Sequence, residues 1–204
     1  NRFSRKIKRL VACRTEISKQ KHAAEEWETA VGGGVKAVGV GAGITGFGGD
    51  LIIIDDPVKG RSAADSRAIR ETTWDWYKDD IHTRLEPGGA VIVIQTRWHD
   101  DDLAGRLLKD MEDGGEKWDA VSLAALAEPD SGDSADPLGR VEGEALWPER
   151  FDADALLAIK RRLGPRSFAA LYQQRPQALG GTIFRPEWFT RRAAKAPAGL
   201  RWAR

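Results

Sequence analysis

The chain reads as an α/β protein built on a parallel sheet, and three observations carry that reading. Leu51-Ile52-Ile53-Ile54, set between Gly48-Gly49 and Asp55-Asp56-Pro57, is a short continuous run of large aliphatics, the pattern of a strand buried on both faces. Ala90-Val91-Ile92-Val93-Ile94-Gln95 is a second such run. Between the two, residues 62–85 have helical spacing, with Ala64, Ile69, Trp74, Tyr77 and Ile81 as the apolar stripe. After the second run, Asp100, Asp101 and Asp102 suit the positive end of a helix reaching to Met111, which Gly114-Gly115 ends. Strand, helix, strand, helix in this order argues for parallel strands joined by crossovers.

The remaining elements follow in chain order. Residues 1–21 read as a basic strand or helix in which Ile7, Leu10, Val11 and Ile17 form a partial apolar face. Residues 35–40 alternate small and β-branched side chains and predict a strand. They pass into Gly41-Ala42-Gly43-Ile44-Thr45-Gly46, which matches GxGxxG. A dinucleotide site needs that motif to open a helix whose N-terminus meets the pyrophosphate. Here the glycines lead through Phe47-Gly48-Gly49 into the first apolar run, so a loop between strands is the better reading. Glu86-Pro87-Gly88-Gly89 is a turn signal that ends the 62–85 helix. Residues 118–126 predict a third strand, and 128–143, rich in Pro, Asp, Ser and Gly, an exposed loop. Two helices follow, over 152–163 with Asp152 as cap and over 167–174 after Gly164-Pro165. Gln177-Ala178-Leu179-Gly180-Gly181 reads as a linker.

Composition narrows the function. With 204 residues the chain is long enough to bury a core. A net charge of +1 implies no particular partner, but the charge is uneven. Basic residues crowd the first 21 positions and the tail after Arg185, an arrangement open both to phosphate contact and to an ordinary solvated helix face. Cys13 is the single cysteine, which excludes an intrachain disulfide and a cysteine-based zinc site. No apolar run approaches the roughly 18 residues that span a bilayer, so the expectation is a soluble intracellular protein with no membrane partner.

Chemistry concentrates at the strand tips. In open parallel sheets ligands bind beyond the carboxyl ends of the strands, where Asp55 and Asp56 sit. An apolar strand ending in an acidic pair is the Walker B pattern of nucleotide hydrolases: the first carboxylate holds Mg²⁺, directly or through water, and the second orients the attacking water. Capping of the turn before Pro57 is the alternative reading of the same pair. At the second tip, Gln95-Thr96-Arg97 is placed to set an amide or hydroxyl near a γ-phosphate. A strand-end hydroxyl accounts equally for Thr96, and a salt bridge to the 100–102 cluster for Arg97.

The run ITGFGGDLIIIDDPVK, then TRL, PGG and VIVIQTRWHDDDLAGRLL, then GEALWPERF and FAALYQQRPQALGGTIF, resembles the large terminase subunit of tailed bacteriophages and prophages. The likeness runs from about Val35 to Phe189. It implies a P-loop NTPase-like parallel-sheet ATPase core followed by a short lid and linker, in a motor that packages DNA with ATP and Mg²⁺ and carries a metal-dependent RNase H-like nuclease domain. Carried over by position, it implies that Asp55 is the metal carboxylate, that Asp56 stands where many members have the water-activating Glu, one methylene longer, and that Gln95-Thr96 is the coupling motif. Arg97 is a phosphate-sensing candidate, and Arg84 or Arg97 a candidate arginine finger. The implied layout is residues 1–150 from the C-terminal part of the ATPase domain, 151–181 as lid helices and hinge, and 182–204 as the start of the nuclease domain. The implied partners are double-stranded DNA, the small terminase subunit, the portal protein and further copies in a ring, in the host bacterial cytoplasm.

The chain also departs from that pattern. It contains no GxxxxGK[ST], and the glycines at 32–34 are no substitute because a strand, not a helix, follows them. The nuclease carboxylates are absent as well, so the expectation is an excerpt of the ATPase domain plus the hinge. Two other readings stay open: a non-catalytic remnant or scaffold that binds DNA or phage partners, and a metal-dependent nuclease using Asp50, Asp55 and Asp56.

Overall fold

The structure, a computed structural model, describes residues 16–23, 25–44, 46–128 and 136–176. The basic segment before residue 16, part of the 128–143 loop, the linker from residue 177 and the expected start of a nuclease domain lie outside the described residues. The chain divides into two compact units, Asn1–Lys59 with Ser66–Gln95, and Gly60–Asp65 with Thr96–Arg204.

The first unit holds two sheets. β1 (Ile17–His22), β2 (Glu26–Thr29) and β3 (Gly34–Lys36) form an antiparallel meander. The glycines at 32–34 turn its second hairpin: Gly32 and Gly33 take φ of 93° and 76°, and Thr29 N–H donates to Gly33 O at 2.9 Å. At Gly34 a Cβ would lie 2.6 Å from the Trp27 carbonyl oxygen, so only glycine fits the close strand approach. The strand expected over 35–40 is confined to β3 and has moved one residue earlier.

The second sheet pairs β4 (Gly49–Asp55) with β5 (Leu85–Ile94) in parallel, with Ile52 opposite Val91, Ile53 opposite Ile92, Ile54 opposite Val93 and Asp55 opposite Ile94. The mixed α/β class and the parallel pair expected from the apolar runs are both present. The expectation of burial on both faces is not met. Ile54 is buried and Ile52, Val91 and Val93 are half-buried, whereas Leu51, Ile53, Ile92 and Ile94 are 54%, 56%, 43% and 54% exposed. Alternation therefore leaves one apolar face in solvent. The Pro87-Gly88-Gly89 turn is folded into the start of β5, where the register shifts between Gly49 and Leu51 and Gly88 takes φ 82°.

The connection from β4 to β5 is helical but not one helix. α1 (Arg61–Asp65) stops at Ser66, whose hydroxyl accepts from Ile69 N–H at 3.5 Å and caps α2 (Arg67–Asp75). α2 widens into a π turn at Trp76–Ile81 and closes as a 3₁₀ turn at His82–Arg84. The hydroxyls of Thr72 and Thr73 donate back to the carbonyls of Ala68 and Ile69 at 2.9 and 2.8 Å, a pattern that bends helices just before the π turn. Of the expected apolar stripe Ala64, Tyr77 and Ile81 are buried, Trp74 only partly, and Ile69 is 41% exposed; the wide turn adds Trp76 to the inward face. Each buried side chain of this size contributes about 1.5–3 kcal/mol.

In the second unit, α3 (Leu103–Glu112) starts at Asp102, whose carboxylate accepts from Gly105 N–H at 2.9 Å, and buries Leu103 and Leu107. Residues 118–126 do not form the expected strand. Val121 is 79% exposed, the alanines there are weak strand formers, and the one pairing is a bridge from Leu126 to Ala145. α4 (Ala153–Leu163) matches the expected 152–163 helix, and α5 (Pro165–Leu171) covers the second expected helix but begins two residues before 167 and ends at Leu171, short of 174. Asp152 caps α4 by accepting from Ala155 N–H at 2.8 Å, and Gly164 at φ 81° ends α4 with Pro165 opening α5. Their shared core is Ala145, Leu156 and Phe168 with Ala125, Leu126, Ile159 and Tyr172, where the Phe168 and Tyr172 rings stack at 5.1 Å. Among the described residues no helix is long and apolar enough to cross a membrane.

Candidate functional site

The strand-tip residues of the first unit come together because β4 and β5 end in register. Asp55 faces Ile94 across the ladder, and one further rung is added beyond it: Asp56 N–H donates to Ile94 O at 2.9 Å. Asp56 then takes φ 43°, a left-handed conformation that for a non-glycine residue is uncommon and best tolerated by Asp and Asn. The chain turns sharply there into Pro57 instead of continuing the strand. Asp55 is exposed, on the same face as Ile53 and Ile94. Gln95, the first residue past β5, has its Oε1 buried with no hydrogen-bond partner among the described residues. An unmet buried acceptor costs about 1–3 kcal/mol, so this oxygen is available to a donor such as a bound water.

Asp55, Asp56 and Gln95 thus belong to one strand end, and the donor set suits a hard cation held lightly. Mg²⁺ keeps several waters and takes one or two carboxylates plus substrate phosphates, a demand that one exposed Asp at a strand tip meets. Among the described residues no group of three His, Cys, Asp or Glu side chains is placed to hold a metal, and Asp50, Asp55 and Asp56 do not assemble the carboxylate cluster that a two-metal nuclease needs.

Thr96 and Arg97 begin the longer segment of the second unit, Thr96–Arg204. Arg97 is committed there: its Nε lies 2.9 and 3.0 Å from the two carboxylate oxygens of Asp102, and the side chains are 16% and 4% exposed. The salt-bridge alternative raised for Arg97 is what forms. Arg106 pairs with Asp101 through two 2.8 Å hydrogen bonds. Gly105 is required beneath this network, because a Cβ there would collide with the Asp100 carbonyl and lie 2.9 Å from Arg97 Nη2. The acidic triplet is therefore mainly cap and counter-ion to Arg97 and Arg106. Arg84, the other arginine-finger candidate, has its Nε buried without a hydrogen-bond partner.

Two polar constellations of the second unit were not legible as such. Asp136 and Arg140, in a segment expected to be exposed, form an ion pair at 2.7 Å with side chains 8% and 7% exposed. Arg140 also donates to Ala124 O at 2.9 Å, fastening the segment down. Hydrogen bonds from Arg140 lower the Asp136 carboxyl from 3.8 to about 2 against the opposing effect of burial. Further along, the buried Gln173 amide spans the backbone of Leu126, donating to its carbonyl at 2.9 Å and accepting from its N–H at 3.0 Å. The i, i+4 spacing of Asp136 and Arg140 around Pro137 and Gly139 was the available signal for the first; glutamine gives none for the second.

The sequence matches the family described as terminase large subunit, T4likevirus-type, N-terminal, over residues 2–191. No curated protein matches the chain.

Proposed function

Because the chain belongs to the large terminase subunit family, the DNA-packaging motor family of tailed phages, we propose that its β4–β5 tip is the metal- and water-handling edge of a P-loop-like ATPase core. The observation that supports this most is the acidic end of β4: Asp55 in register with Ile94, followed by Asp56 in a left-handed turn. Magnesium bound with ATP supplies charge neutralisation of the phosphates. In this reading Asp55 holds that ion from the exposed face of the sheet. Asp56 carries the carboxylate that orients water, and its left-handed backbone redirects a side chain one methylene shorter than Glu. Gln95 offers its buried Oε1 as acceptor to the same water. Thr96, the next residue, relays the state of the site to the second unit. Arg97 supports that unit through Asp102, which leaves the phosphate-sensing role to be supplied elsewhere.

The working motor in this proposal is a homo-oligomeric ring in the host bacterial cytoplasm. It acts on double-stranded DNA together with the small terminase subunit and the portal protein, and metal-dependent endonuclease activity belongs to the full-length protein. The test is Asp55→Ala in the intact terminase that carries this segment: ATP turnover falls to background while the far-ultraviolet circular dichroism is unchanged. Turnover retained in that variant overturns the assignment.

One observation favours a second reading, a non-catalytic scaffold: these 204 residues contain no GxxxxGK[ST] and so supply no phosphate-cradling loop of that kind. Equilibrium dialysis of the chain with Mg²⁺ and nucleotide separates the two, since a scaffold shows no binding that depends on Asp55.

A further inference from the structure

The second unit contains a polar cluster that the strand-tip reading does not use. Arg61, at the start of α1, donates from Nη1 to Trp98 O at 2.9 Å and stacks its guanidinium 5.3 Å from the centre of the Trp98 ring. Its Nη2 is buried and has no hydrogen-bond partner among the described residues. Asp65 lies four residues on, the spacing that brings side chains to one helix face. Asp65 Oδ1 is 3.7 Å from Arg166 Nη2 on α5, beyond hydrogen-bond reach, and is itself buried and unmet. Arg166 Nε is the third unmet atom. The cluster is therefore anchored by Trp98 at one end and by α5 at the other, and it carries two unsatisfied donors, one unsatisfied acceptor and a net positive charge. The Arg166 and Asp65 side chains are 36% and 31% exposed while the three unmet atoms are themselves covered, so a ligand meets those atoms only as these side chains swing aside.

We propose that Arg61, Asp65 and Arg166 form a binding site for a proton-bearing phosphate, either inorganic phosphate or the terminal phosphate of a nucleotide. The donor and acceptor count selects the ligand. Phosphate oxygens accept from guanidinium N–H groups in charge-assisted hydrogen bonds, the pairing for which arginine is best suited. The Asp65 oxygen, by contrast, requires a donor on the same ligand. A phosphomonoester has its second ionisation near pH 6, so it still carries an O–H close to neutrality. A carboxylate, sulfate or the phosphodiester of DNA carries none and would face the Asp65 oxygen with another lone pair. An ordered water also matches the count, but it is neutral and confers no phosphate affinity. None of the three residues belongs to the β4–β5 tip, so failure here leaves that proposal standing, and the reverse.

The experiment is calorimetric titration of the chain at pH 6 and constant ionic strength with inorganic phosphate, sulfate and AMP. Phosphate is expected to bind saturably, and sulfate about tenfold more weakly, the factor matching an unmet buried acceptor of about 1.4 kcal/mol. Arg61→Gln and Arg166→Gln each weaken phosphate binding by at least about tenfold, the range for loss of a charge-assisted hydrogen bond. Asp65→Asn, which adds an N–H donor, erases the preference for phosphate over sulfate. Tighter binding of AMP than of phosphate assigns the site to a nucleotide; equal binding assigns it to the free ion. No saturable phosphate binding, equal affinity for phosphate and sulfate in the unmodified chain, or an unchanged preference in Asp65→Asn overturns the proposal. Should the arginine variants fail to fold, the sulfate comparison and Asp65→Asn decide it alone.

Discussion

Replacing Gln173 tests how the end of α5 is held, and its cost can be worked from the contacts. The side chain is 6% exposed and makes three hydrogen bonds, to Leu126 N–H at 3.0 Å, to Leu126 O at 2.9 Å and to Glu128 Oε1 at 2.9 Å. Gln173→Ala leaves both backbone groups of Leu126 without partners. Each such loss in a buried setting costs about 1–3 kcal/mol, and since Leu126 is only half-buried the low end applies, giving about 2–3 kcal/mol in all. For a chain of this length about 2–4 °C of Tm accompanies each kcal/mol, so a fall of roughly 5–10 °C is expected. Urea unfolding of the chain measures it, with an unchanged m-value showing that stability and not the unfolding mode has moved. Gln173→Glu sharpens the test: it swaps a donor for a carboxylate oxygen facing both Leu126 O and Glu128, so it costs more than alanine at neutral pH and recovers as the pH is lowered. A loss under about 0.5 kcal/mol for Gln173→Ala, or equal losses for the two variants, refutes the view that this amide fastens α5 to residues 126–128.

Two further outcomes follow from single residues. At Asp56 the left-handed backbone is tolerated by Asp and Asn and penalised for a β-branched side chain, so Asp56→Asn stays within about 0.5 kcal/mol in urea unfolding while Asp56→Val loses about 1–2 kcal/mol; equal stabilities would remove the left-handed turn. At Asp136 the folded carboxyl titrates below its unfolded value, so its contribution is present above about pH 4 and is lost as pH falls from about 4 towards 2. Unfolding free energy measured across that window is expected to fall more steeply in the unmodified chain than in Asp136→Asn, and parallel slopes would contradict it.

What could be read from the sequence was whatever rests on local chemistry. The apolar runs located β4 and β5, and Asp102, Asp152 and the Gly164-Pro165 pair marked helix ends because caps are decided within a turn of chain. The hairpin at β2 escaped because Glu26-Trp27-Glu28-Thr29 has no apolar run to announce it, and its pairing with β3 is settled by Gly32 and Gly33. The inward face of the 62–85 segment was placed correctly at Ala64, Tyr77 and Ile81, but Ile69 is exposed and Trp76 was missed, because a 3.6-residue period was assumed through a stretch that widens into a π turn. The third strand failed for want of a partner, a property that no window of residues 118–126 contains. Arg61 was passed over entirely: an arginine shows from sequence only that it is charged, and its unmet Nη2 is a fact of burial.

The exposed face of the parallel pair links the two halves of the catalytic proposal. Asp55 stands at the end of the face that carries Leu51, Ile53, Ile92 and Ile94, so covering those side chains also withdraws water from the carboxylate. These four side chains are already about half covered, so covering the rest is worth about 0.7–1.5 kcal/mol each, a few kcal/mol in all and comparable with the dehydration of one charge that is then paired with a cation. Dehydration in turn strengthens the attraction of Asp55 for that cation, because the interaction energy grows as the effective dielectric falls from that of water. An isolated strand tip is for this reason a weak magnesium ligand, and the same tip beneath a packed layer is a strong one. Metal affinity at Asp55 and protection of the Ile53 and Ile92 face should therefore rise together. Polar substitution of Ile53 then weakens magnesium-dependent nucleotide binding in the intact terminase without touching a ligand, and binding that is indifferent to Ile53→Ser separates the apolar face from the function of the carboxylate at its end.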